Sequence, residues 1–202
     1  ALMTRVWQAA SGPITILLLI GSLDLAEQGV YYGIIGIIGI QAYFELGLLN
    51  VLVSQSGHET AAMNQATASS DEGASQESDP EWLAAAARMR DLIGDSFRWF
   101  SGASFVYVMA ALAFGWYSLA DSEVAWHGPL LALVPIAAIS VCLSHGLSIL
   151  EGAGFRDVIF RFRFLQMTIG SIVMWVSLEC GLKLWSLVLS SSVQALMSMY
   201  IT

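Results

Sequence analysis

The 202-residue chain is 56% hydrophobic and only 12% charged, with a mean hydropathy of +0.68, a composition outside the range of ordinary soluble domains. Its formal charge of -8 is largely local, since five of the sixteen acids lie between Glu59 and Asp79; the eight Lys and Arg form no stripe with aromatics, which excludes nucleic acid as a partner. Cys142 and Cys180 lie in apolar runs with no CxxC pair, leaving no disulfide framework, metal set or redox motif.

A helix needs about 20 residues to cross the hydrocarbon core, and several uncharged runs approach that length. Val6 to Leu23, 18 residues without charge, predicts a first span, uncleaved because Asp24 and Ala26 make a poor signal-peptidase site. Gly29 to Gly57, interrupted only by Glu45, predicts a second that is long enough to tilt. Residues 58–79 are rich in Ser, Thr, Ala, Gln and acids without Lys or Arg, so a disordered acidic cytoplasmic loop is expected there. Asp79 and Pro80 form a helix start. From there Trp82, Ala86, Met89, Ile93 and Phe97 recur at helical spacing opposite Arg88, Asp91, Asp95 and Arg98, which predicts an interfacial amphipathic helix over 80–100.

Gly102 to Ala120 is free of charge and carries Trp116 and Tyr117 at headgroup level, the mark of a third span. Gly128 to Leu150 predicts a fourth, kinked at Pro135. Phe164 to Thr202 is far too long for one crossing, and Glu179 to Lys183 is its evident break, giving spans five and six; Ser190, Ser191, Ser192 and Gln194 dilute the last. The domain plan is therefore helices 1–2 over 1–57, the loop over 58–79, the interfacial helix over 80–100 and helices 3–6 over 101–202. This is an all-α integral membrane protein of about six crossings. With six spans, Arg5, Arg88, Arg90, Arg98, Arg156, Arg161 and Arg163 share one side and Lys183 takes the other. Such asymmetry places both termini in the cytoplasm.

Among candidate functional residues Glu45 is the sharpest, because a carboxylate inside a span is costly and faces a polar cavity, a partner or an ion pathway. The alternative is a Glu45 that snorkels at the inner interface. Gln41, one turn earlier, could share its face. His145 is the one titratable group of the fourth span and reads either as a hydrogen-bonded packing residue or as a proton relay. Glu151, Arg156, Arg161 and Arg163 form a mixed-charge inner loop that suits anionic lipid headgroups, or serves simply as the positive-inside signal. Gly29, Gly33, Gly36 and Gly39 permit close helix packing. No G-x-S-x-G or H-E-x-x-H is present, so neither catalysis nor a cofactor is expected.

Tyr31-Tyr32-Gly33, Glu45-Leu46-Gly47-Leu48 with Val51 and Gln55, and His58-Glu59 resemble the first helix pair of bacterial polysaccharide flippases. These belong to the multidrug, oligosaccharidyl-lipid and polysaccharide exporter superfamily. The resemblance continues through Trp99-Phe100, Leu150-Glu151-Gly152-Ala153-Gly154, Arg161-Phe162-Arg163 with Gln166, Gly170-Ser171, Trp175 and Leu184-Trp185. It implies a multi-pass protein of the bacterial cytoplasmic membrane, in which two six-helix lobes move a lipid-linked glycan by alternating access, driven by a proton or sodium gradient. This chain matches the N-terminal lobe only, so a second lobe or a second copy is the implied partner, with membrane lipids and a lipid-linked oligosaccharide as ligands. The alternatives are a non-transporting assembly module, using the glycine face and the acidic loop, and a fragment of a multidrug-type exporter.

Overall fold

A computed structural model describes residues 2–45, 47–69 and 79–201, and every regular element among them is helical. The order is α1 (Leu2–Ser22), α2 (Leu25–Gly39), α3 (Gln41–Glu45), α4 (Leu48–Ser69), α5 (Pro80–Ser118), α6 (His127–Leu150), a π-helical turn (Glu151–Phe155), α7 (Arg156–Glu179) and α8 (Trp185–Ile201). Two stretches, Pro80–Ser118 and His127–Glu179, are long and apolar enough to cross a membrane, and α2 with α4 makes a third when that bent pair is counted as one.

Local chemistry sets the starts. Asp24 and Glu27 form a capping box on α2, the Asp24 carboxylate accepting from the Glu27 N–H at 2.8 Å and Glu27 returning the bond at 3.1 Å; this satisfies two donors that no helical carbonyl reaches. The Asp79 carboxylate likewise accepts from the Glu81 N–H at 2.8 Å, with Pro80 in the first turn of α5, as the sequence predicts. The turn at residues 180–184 also falls where expected, with Gly181 at φ 75° and Lys183 at φ 48°.

Two expectations are corrected. The second span is not one helix: it is interrupted between Gly39 and Leu48, and its two arms meet at 42°. Residues 58–69 belong to α4 rather than to a loop, and 70–78 lie outside the described residues. The helix over 80–100 feeds directly into the Gly102–Ala120 run, the two forming one continuous 39-residue helix, α5, about 58 Å long at 1.5 Å per residue. Helix α6 runs through Pro135 without interruption, and the chain breaks after it, at Gly154, where φ is 101°.

Side-chain contacts give the directions. Gly33 faces Leu119, Ile37 faces Gly115, and Glu59 bonds Arg88, so the α2–α4 path runs antiparallel to α5 along its whole length. On the other side of α5, Gly115 meets Leu130, Ser104 donates to the Ala138 carbonyl at 3.1 Å, and Phe97 and Phe100 flank His145, which sets α6 antiparallel as well. Trp185 packs on Gly128, while Ser190, five residues later, donates to the Gly170 carbonyl at 2.9 Å. A straight helix would hold positions 128 and 170 about 63 Å apart, so the turn at Glu151–Phe155 reverses the chain. Helix α7 then runs back beside α8 and α1, where Trp175 donates to Thr15 at 2.8 Å.

One end of the bundle carries the turns with Asp24, Asp121, Glu123 and Glu179 and the Lys183–Glu27 ion pair. The opposite, arginine end carries the reversal and the first turns of α7. The main apolar core, with Tyr31, Ile34, Tyr107, Trp126 and Val134, fills the acidic end, and a smaller cluster of Leu52, Phe100, Val141 and Ile149 fills the arginine end. The polar residues of α8 face protein: Gln166 donates to the Gln194 carbonyl at 2.7 Å and to Ser198 at 2.8 Å, and Gln194 donates to Ser190. Such bonds hold helices together where lipid supplies no hydrophobic drive.

Only Gly33 of the expected glycine face packs, against Leu119; a side chain on Gly29, Gly36 or Gly39 would meet nothing. The close approaches lie elsewhere, at Gly115, Gly128, Gly152 and Gly170. At Gly152 a methyl group would collide with the Ser56 hydroxyl and the Val53 carbonyl. Gly152→Val is therefore expected to destabilise the protein by about 1–3 kcal/mol through overpacking against backbone. Gly36→Ala should be neutral or stabilising by up to about 1 kcal/mol. Melting temperatures of the two variants in detergent, compared with the parent, check both.

Candidate functional site

The interruption between α2 and α4 is built from weak helix closure. Ile40 N–H bonds the Ile37 carbonyl at 3.2 Å and Tyr43 N–H bonds Ile40 at 3.0 Å, both three-residue closures, and Gly47 takes φ 72°. A left-handed residue at that point ends the helix, and glycine carries no Cβ to oppose it. Glu45 is the last residue of α3, half-buried, and has no hydrogen bond or ion pair among the described residues. The register of the α2–α4 path on α5 puts it level with about residues 105–107, near the Gly102 end of the uncharged Gly102–Ala120 run. Irregular backbone at membrane depth is stable where it is enclosed by protein or lines a water-filled cavity. Gln41 sits one turn earlier on α3 and shares no hydrogen bond with Glu45 among the described residues.

Below the break, toward the arginine end, α4 and α5 form a seam with two adjoining hollows. The first, about 470 Å³, is mostly apolar, with Val51, Leu52, Trp99 and Phe100 in its wall and Asp95 and Ser96 at its edge. The second, about 630 Å³, is lined by Ser54, Gln55, His58, Glu59, Arg88 and Leu92. Gln55 and Leu92 belong to both walls, so together the hollows make one groove that is apolar at one end and polar at the other. Arg88 closes on Glu59 through Nε at 2.9 Å and Nη2 at 2.8 Å, both to the same carboxylate oxygen. The Glu59 side chain is 14% exposed and that of Arg88 54%.

His145 is placed away from Glu45. It is buried, with Nδ1 on the Cys142 carbonyl and its ring stacked on Phe100 and tilted against Phe97, both 5.8 Å between centroids. That is the packing arrangement of its two sequence readings. Glu151 and Arg163 pair with each other at 3.2 Å, whereas Arg156 and Arg161 are exposed. The four residues expected at headgroups are thus divided into a closed ion pair and two open cations.

Sequence reasoning missed the Glu59–Arg88 pair because it placed Glu59 in a loop. The signal was present: Leu48, Leu52, Gln55 and Glu59 recur every three or four residues, a helical period that carries α4 past Gly57. Comparison of the chain with protein-family models, with curated proteins and with solved structures gives no match in any of the three.

Proposed function

We propose that this chain is a membrane transporter lobe, moving a lipid-linked glycan or polysaccharide precursor across the bacterial cytoplasmic membrane by alternating access. The observation that carries the reading is Glu45: a half-buried carboxylate at the break of the bent α2–α4 helix pair, without a partner among the described residues. A buried charge of this kind is destabilising unless water, an ion or a substrate reaches it. Interrupted membrane helices present such groups to translocated solutes.

Other features support the reading. The helices alternate in direction, an arrangement that would allow six crossings with Arg5, Arg156, Arg161 and Arg163 gathered at one end. The resemblance of Glu45-Leu46-Gly47-Leu48 and Leu150-Glu151-Gly152-Ala153-Gly154 to polysaccharide flippases now falls on two structural singularities, the helix break and the chain reversal. In this role Glu45 faces the pathway, Gln41 lies at its margin, and a second lobe or a second copy completes the cavity.

A second reading, an assembly module that binds partner helices, is favoured by the open glycine positions 29, 36 and 39 of α2, where another helix backbone could approach closely.

Replacing Glu45 by Gln keeps the shape and removes the charge. In a complementation assay for glycan export, Glu45→Gln is expected to reduce export to background while the protein accumulates normally in the membrane. Undiminished export would overturn the role given to Glu45, and stoichiometric co-purification with another membrane protein in the absence of any export would favour the assembly reading.

A further inference from the structure

The groove along the α4–α5 seam is used by neither the fold nor the transport reading, and its two halves differ in chemistry in the way a bilayer lipid does. Its depth comes first. Gly57 approaches the Gly152 carbonyl, so Glu59 and Arg88 stand at the level of the chain reversal, where the bundle ends on its arginine side. Val51 is eight residues nearer the middle, about 12 Å along the helix. The polar half therefore lies at headgroup depth and the apolar half, with Val51 46% and Trp99 52% exposed, lies alongside acyl chains.

Charge decides which headgroup fits. The groove carries one guanidinium, Arg88, and two carboxylates, Glu59 and Asp95; Asp95 also pairs with Arg98 at 3.2 Å. There is no surplus cation, so a purely anionic head would meet carboxylates without compensation. The Arg88–Glu59 pair uses Nε and Nη2 on one carboxylate oxygen. It leaves Nη1 as a donor and the other carboxylate oxygen as an acceptor, neither with a partner among the described residues. A head with adjacent phosphate and ammonium meets both: the phosphate takes the guanidinium N–H, and the ammonium donates to the carboxylate. A trimethylated ammonium has no N–H to donate.

We propose that the α4–α5 seam binds one zwitterionic phospholipid of the ethanolamine class, its chain against Val51, Leu52, Trp99 and Phe100 and its head between Arg88 and Glu59. The site stands on the membrane placement of the helices and is independent of what, if anything, the protein transports.

The test is native mass spectrometry of the full chain in detergent, offered equimolar phosphatidylethanolamine, phosphatidylglycerol and phosphatidylcholine with identical chains. One phosphatidylethanolamine per chain is expected to be retained, at roughly tenfold higher occupancy than either competitor, the size of effect that a charge-assisted hydrogen bond gives. Glu59→Gln and Arg88→Gln should each remove that preference. Val51→Trp, which fills the apolar half from an exposed position and leaves the charges alone, should lower retention of all three lipids. Helical circular dichroism and a monodisperse elution profile report that each variant is folded. Equal retention of the three lipids, preference for phosphatidylglycerol, or unchanged preference in folded Glu59→Gln and Arg88→Gln would overturn the proposal. Displacement of the lipid by free phosphoethanolamine would equally overturn the part assigned to the apolar wall.

Discussion

The seating of Gly152 on α4 is the contact on which the arrangement of this bundle depends. The chain reverses over Glu151–Phe155, and a reversal in or near a bilayer must leave its backbone groups satisfied or enclosed. Here Gly152 presses against the Val53 and Ser56 turn of α4, at a separation that only a residue without a side chain allows. Because α4 is held in turn along α5, and α5 along α6, this contact closes a ring of α4, α5, α6 and the turn itself. Helices α7 and α8 are then placed by the reversal, and α1 is placed by α7 through Trp7, Thr15 and Trp175.

Polar chemistry within this frame is used in two different ways. Between α7 and α8, Gln166, Gln194 and Ser190 are bonded to one another and to backbone, so that they join helices. Glu27 is similarly committed, capping α2 through one oxygen and holding Lys183 with the other. Glu45 differs from both. It lies at a break rather than within a seam, and its half-buried carboxylate has no hydrogen bond or ion pair among the described residues. This contrast, rather than charge within a span as such, is what distinguishes it from structural polar groups.

Much of the helical content was legible in the sequence, because uncharged runs and caps are local signals. The Asp79–Pro80 start, the break near Gly181 and the helical character of each apolar run follow from residues a few positions apart. What was not legible depends on partners far along the chain. Residues 58–69 look like a solvated loop by composition, yet Glu59 is held by Arg88 from α5, 29 positions away, and the helix continues. Glycines illustrate the same limit: a side chain on Gly29, Gly36 or Gly39, which show the favoured spacing, would meet nothing, whereas Gly115, Gly152 and Gly170, outside that pattern, meet their neighbours closely. Spacing reports which face a residue occupies, and only the tertiary arrangement reports what lies opposite.

The length of α5 has a mechanical consequence. From Pro80 to Ser118 it is a single rod without an internal proline or π turn after Pro80, in contact with α2 near the acidic end, with α4 throughout the arginine end and with α6 from Gly115 down to Phe97. A rod of about 58 Å that pivots by 5° at one end carries the other about 5 Å sideways, close to the radius of a helix with its side chains. Events at the Glu59–Arg88 level are thus geared directly to the packing around Gly115 and Leu119, with no hinge in α5 to absorb them.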